Sequence, residues 1–149
     1  MQTRCMYRFL FKVKEKSENP KVEKDIKYRC YLFSLMVIKF LKAGKWDSLS
    51  MIIVKQLMRS ASSVGANVIE AKNSSSRIEF KRYYEIALKS CNESKYWICL
   101  LRDGFEKVDV ELNNILKEAD EISRILAASV IKLKKNKTAD SKNDNSEIN

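Results

Sequence analysis

Apolar residues recur at three- and four-residue steps along four long stretches of the chain, the period of an amphipathic helix. The first stretch, 23–43, places Ile26, Cys30, Phe33, Val37, Phe40 and Leu41 on one stripe. It is apolar elsewhere too, through Tyr31, Leu32, Leu35, Met36 and Ile38. A helix apolar over most of its circumference is covered on more than one side. In a domain this small, another subunit covers the second side more easily than the chain's own residues do. The second stretch, 48–73, carries Leu49, Ile52, Ile53, Leu57, Ala61, Val64 and Val68. The third, 77–103, carries Phe80, Tyr84, Ala87, Cys91, Ser94, Ile98 and Leu101. The fourth, 109–135, carries Leu112, Ile115, Leu116, Ala119, Ile122, Leu126, Ser129, Val130 and Leu133.

The residues between these stretches are helix punctuation. Gly44 fits a left-handed position just past the first helix. Asp47 or Ser48 can cap the second at its N-terminus, Asn73-Ser-Ser-Ser76 forms the next turn and cap, and Asp103-Gly104 closes the third. Ser60, Ala61, Ser62, Ser63, Gly65 and Ala66 form a run of small residues that lets a neighbouring helix approach closely. Four helices with short connections predict an all-α fold, an antiparallel up-down-up-down four-helix bundle. Three glycines and one proline supply little material for the turns of an all-β domain or for a glycine-rich phosphate loop.

Around this bundle, expected over 23–135, residues 1–22 read as a poorly ordered leader ending near Pro20, and 136–149 as a disordered polar tail. The start, Met1–Val13, lacks the uninterrupted apolar run of a signal peptide. No stretch approaches the roughly 18 apolar residues of a membrane span. A cytoplasmic protein without membrane contact is expected.

Composition narrows the chemistry. The absence of histidine removes the commonest general base, the usual Ser-His and Cys-His pairs, and the ordinary ligands of catalytic zinc. Cys5, Cys30, Cys91 and Cys99 form no CxxC pair, and three of them lie in apolar helical stretches, where free Cys acts as a small hydrophobe in a reducing compartment. No metal or cofactor is expected. The net charge of +10 is uneven: residues 24–109 carry sixteen basic and nine acidic groups, whereas 110–131 carry two and four. Such asymmetry suggests a side that faces a polyanion.

Three constellations could carry function. Gln56, Arg59, Ser63, Asn67 and Glu70 form a polar stripe on the second helix, opposite Glu85, Asn92 and Glu93 on the third. Arg59 could meet Glu93, or Asn67 could meet Glu85, in a network that sets helix register; Gln56, Arg59, Asn67, Glu70 and Glu93 are read as architectural. Glu85 and Glu93 lie two turns apart on one face, too far for a shared metal without further ligands, so a metal-dependent nuclease is the weakest alternative. Lys72 and Arg77 flank the turn between the second and third helices, with Lys81 and Arg82 one turn on, beside Tyr83 and Tyr84. With Lys55 they are the candidate nucleic-acid contacts, since phosphates need cations and aromatic rings can stack unpaired bases. Tyr96-Trp97 are large groups suited to core or subunit packing.

The run Gln56-Leu-Met-Arg-Ser-Ala-Ser-Ser-Val-Gly-Ala-Asn-Val-Ile-Glu-Ala71 resembles the signature of a small bacterial four-helix-bundle family. Its members include proteins encoded in intervening sequences of 23S ribosomal RNA genes and the accessory variability determinant of diversity-generating retroelements. Tyr84-Glu-Ile-Ala-Leu-Lys-Ser-Cys-Asn-Glu-Ser-Lys-Tyr-Trp97 is similar to the family's second block, and the likeness covers roughly 24–134. The resemblance implies an antiparallel bundle assembled into a ring, a homopentamer in the retroelement branch, where the basic ring binds nucleic acid and partners a reverse transcriptase. The combined expectation is an oligomeric nucleic-acid-binding accessory protein with no catalysis of its own. The alternative is a protein–protein scaffold with an incidental basic surface.

Overall fold

The computed structural model describes residues 25–105 and 110–143, which form four α-helices: α1 (Ile26–Ala43), α2 (Ser48–Asn73), α3 (Arg77–Gly104) and α4 (Val110–Asn143). The caps explain why the helices begin where they do. Asp25 accepts a hydrogen bond from the Lys27 amide, Asp47 from the Ser50 amide, and Ser76 from the Glu79 amide, each satisfying a donor that the first helical turn leaves without a partner. Glu79 turns back to accept from the Ser75 amide and hydroxyl, which fixes the α2–α3 turn.

Gly44 departs from expectation. Its backbone is extended (φ −78°, ψ 152°) rather than left-handed. What requires glycine is space, because a Cβ there would lie 2.3 Å from the Trp46 ring. The indole is held over the chain by its N–H, which donates to the Leu41 carbonyl at 2.8 Å, and by Phe40, whose ring centroid is 5.7 Å away. A second difference lies at the far end: α4 runs on to Asn143, beyond the boundary expected at 135. Its last turns contain no glycine or proline to stop a helix. The expected leader 1–22, Cys5 and the end of the tail lie outside the described residues.

The helices pack in a closed cycle, α1 on α2, α2 on α3, α3 on α4 and α4 back on α1, with α2–α3 the most extensive contact. Side-chain bonds set the antiparallel register: Ser34 Oγ donates to the Ala61 carbonyl, Ser94 meets Ser60, Ser63 meets Ser90, and the Cys91 thiol donates to the Ala119 carbonyl. The predicted stripes converge on one core, in which Phe33, Leu57, Val64, Ile98, Leu112, Ile115, Ile122 and Leu126 are fully buried. Small residues do close the α1–α2 contact, since Gly65 faces the Cys30 backbone and Cβ. The second apolar side of α1 stays partly open, with Leu32 exposed and Leu35 and Ile38 half-buried.

Candidate nucleic-acid interface

Antiparallel order sorts the charges by end. The α2–α3 turn, the start of α3 and the later turns of α4 share one end of the bundle, because Lys134 pairs with Glu85 at 3.3 Å and Leu133 sits beside Arg77 and Phe80. The segments 70–85 and 131–135 at this end contain seven lysines and arginines against three glutamates. At the opposite end, 43–52, 100–105 and 110–114 contain two cations against three carboxylates. The described bundle is therefore electrically polar along its axis, with the α2–α3 turn at its positive pole.

Four of the five candidate contacts meet at that pole. Lys72, Arg77 and Arg82 are exposed, and Lys81 is half-buried with its ammonium 3.8 Å from Glu85. Glu85 is shared between Lys81 and Lys134, which leaves the pair of amines with a net positive charge. Lys55 does not join them. It is exposed, but the rise of α2 sets it about 25 Å along the helix from Lys72, towards the opposite end. Lys132, Lys134 and Lys135 were not among the sequence candidates, although the run at the end of the fourth apolar stretch and the up-down topology together point to them.

Between the cations lies a shallow depression of about 450 Å³. Ala71, Phe80 and Leu133 give it apolar walls, and Lys72, Ser74, Ser75, Ser76 and Arg77 complete its lining. The tyrosines expected to stack bases do not open into it. Tyr84 is 5% exposed, and burial raises its hydroxyl pKa. Tyr83 is half-buried against the core, as Phe80 is, but does not line the depression. The neighbouring ring that does line the depression is Phe80, stacked on Tyr84 with centroids 4.6 Å apart.

The architectural stripe resolves differently from expectation. The α2–α3 interface is joined by hydroxyls: buried Ser94 donates to Ser60 at 2.9 Å, Ser63 and Ser90 lie 2.9 Å apart, and Asn67 donates to the Ser63 carbonyl and hydroxyl. Arg59, Glu70 and Glu93 are exposed, and Gln56 is half-buried. Neither Arg59–Glu93 nor Asn67–Glu85 is an ion pair or hydrogen bond among the described residues; Glu93 instead accepts from the Trp97 indole at 3.2 Å. Full charges there stay in water because a buried ion pair must recover its desolvation penalty, whereas a short hydroxyl bond permits close helix approach. The interhelical ion pairs sit elsewhere. Arg29 grips Glu118 with two hydrogen bonds, of 2.8 and 2.9 Å, and this pairing raises the Arg29 pKa. Lys95 reaches both Asp120 and Ser123.

These features bear on catalysis and metals. Glu85 is committed to two amines, and among the described residues no group of three Cys, Asp or Glu side chains is placed to hold a metal ion. Cys30 and Cys91 are buried free thiols, and burial pushes their pKa values up to about 12 and about 11. No helix among the described residues is long and apolar enough to cross a membrane.

Residues 24–128 match the family model for the 23S rRNA-intervening sequence protein. The chain belongs to that family. The intervening-sequence fold is also seen in a crystal structure of a protein with unknown function from the S23 ribosomal protein family of Bacteroides thetaiotaomicron. That protein is 27% identical to this chain, with a TM-score of 0.63 over 71% of this chain and 98% of its own. No curated protein matches. The matched region holds all four helices up to Ala128, and with them the serine interface and most of the positive pole.

Proposed function

We propose that this protein is a cytoplasmic nucleic-acid-binding accessory protein that acts as a homo-oligomer and catalyses no reaction itself. The observation that carries the reading is the positive pole, where Lys72, Arg77, Lys81 and Arg82 gather beside the lysines of α4. A cluster of this kind neutralises phosphates and releases counterions, so its binding falls steeply with salt and depends weakly on sequence. Self-association multiplies the field of one pole. The incompletely covered α1 face, together with exposed Leu49 and Ile52 on α2 and Tyr96 on α3, supports subunit contact. A ring of five, the assembly that the resemblance to the retroelement branch implies, is the one we favour, with a reverse transcriptase as the candidate protein partner.

The test is light scattering of the untagged protein with and without a short RNA, at low and high salt. An oligomer that takes up RNA at low salt and releases it at high salt is the expected result. An oligomer that ignores RNA at both salts would transfer the exposed Leu49, Ile52 and Tyr96 to a protein–protein scaffold and end the nucleic-acid reading.

A further inference from the structure

The depression at the positive pole has two properties that phosphate binding alone does not use. It recedes from the surface as a shallow, widely open depression, and its walls are partly apolar. A duplex presents a convex rail of phosphates with its base faces hidden in the stack, so it can meet Lys72 and Arg77 without entering. An unpaired nucleotide presents a flat apolar base face, edge donors and acceptors, and a phosphate within one nucleotide's length. Those three elements match what the depression offers. Phe80 and Leu133 are apolar surface, Lys72 and Arg77 are cations on the lining, and the hydroxyls of Ser74, Ser75 and Ser76, each already in one hydrogen bond within the turn, keep further donor or acceptor capacity. Glu79 and Ser76 already satisfy amides at the start of α3, so the helix terminus is not required as an anion site.

We propose that this depression receives an unpaired nucleobase against Phe80, so that the protein prefers single-stranded to duplex nucleic acid. The inference rests on the nucleic-acid reading above and adds the class of strand. Electrostatics alone predicts the opposite preference, because a duplex carries the higher charge density and the steeper salt dependence. A single-strand preference therefore reports base contact.

The experiment compares a single-stranded RNA with a duplex of the same length, closed at both ends by non-nucleotide linkers, at one salt concentration. Tighter binding of the single strand is expected. Phe80→Leu keeps an apolar group in place and should weaken single-strand binding by about tenfold, the scale of one lost base–aromatic stack, while duplex binding stays unchanged. Thermal melting checks that the variant is folded. A second arm uses the unaltered protein: an RNA carrying 5-iodouridine should photocrosslink within 71–80 or at the Leu133 turn. Equal affinities with no effect of Phe80→Leu, or crosslinks confined to other helices, would overturn the base pocket and leave phosphate binding intact. Binding to neither RNA would remove both readings.

Discussion

Ser94 donates its hydroxyl hydrogen to Ser60 at 2.9 Å, with both side chains shut between α2 and α3. The pair lies within the most extensive helix contact of the bundle. Ser60 in turn donates to the Leu57 carbonyl at 3.2 Å, and the Ser90 carbonyl, 2.9 Å from Ser94 Oγ, shares the single Ser94 hydrogen with Ser60. Ser94→Ala should lower stability by about 1 kcal/mol, the net value of a typical buried hydrogen bond. Ser94→Leu should lower it by about 1–3 kcal/mol, because the facing helix leaves no volume for the added carbons. Urea unfolding of both variants checks the order, and an alanine variant weaker than the leucine variant would contradict the tight contact.

Gly44→Ala tests the packing of Trp46. With an ordinary backbone angle at Gly44, the whole effect of the new methyl comes from its collision with the indole. A loss of about 1–3 kcal/mol is expected, accompanied by a shift in tryptophan fluorescence. In a Trp46→Ala background the same glycine change should become nearly neutral. Persistence of the full loss there would mean that conformation, not space, selects glycine.

The Arg29–Glu118 clamp is the main interhelical ion pair of α1. Its side chains are 28% and 24% exposed, so solvent screens it only in part. Glu118→Gln should destabilise the fold by about 1 kcal/mol and raise the exchange rate of α1 amides above that of α2 and α3. An unchanged exchange pattern would show that apolar contacts alone hold α1.

The buried thiols give stability a pH dependence. Their folded pKa values, about 12 for Cys30 and about 11 for Cys91, exceed the ordinary 9.0, so above pH 9 the unfolded chain binds fewer protons than the folded one. Stability is therefore full below pH 9 and falls as pH rises towards 11, at up to about 1.4 kcal/mol per pH unit for each thiol. Replacing both cysteines with alanine should lower overall stability and flatten this thiol-dependent slope. Thiol labelling under native conditions should reach the half-buried Cys99 before either of them.

At the positive pole, Arg77, Lys81 and Arg82 changed together to alanine should weaken RNA binding and reduce its salt slope by up to about three, near one per lost phosphate contact. Lys55→Ala should change little. Equal effects from the two variants would disperse the binding surface along α2 and contradict a polar cluster.

Much of the fold is legible in the sequence because helix formation is local. The apolar steps through Cys30, Phe33 and Val37, or Ile115, Ala119 and Ile122, specify which face is buried, and Asp47 and Ser76 mark starts within their own first turns. The basic turn was legible for the same reason, since Lys72, Arg77, Lys81 and Arg82 are close along the chain. The stripe was misread because periodicity puts Gln56, Arg59, Ser63, Asn67 and Glu70 on one side of α2 without telling which edge of that side meets α3. A rotation of a fraction of a turn separates buried Ser60 from exposed Arg59.

By itself, then, the sequence determined the helices, their caps, their antiparallel order and a basic excess, all of which follow from spacing, local hydrogen bonding and charge count. Tertiary packing decided the rest. It set Lys55 apart from Lys72, brought Lys134 to Glu85 and Leu133 to Phe80, buried Tyr84 while leaving Phe80 at the depression, and made Gly44 a matter of room for Trp46. The reason is physical: distances between helices depend on their axial register and rotation, which arise from the fit of whole side-chain surfaces and are written in no single segment.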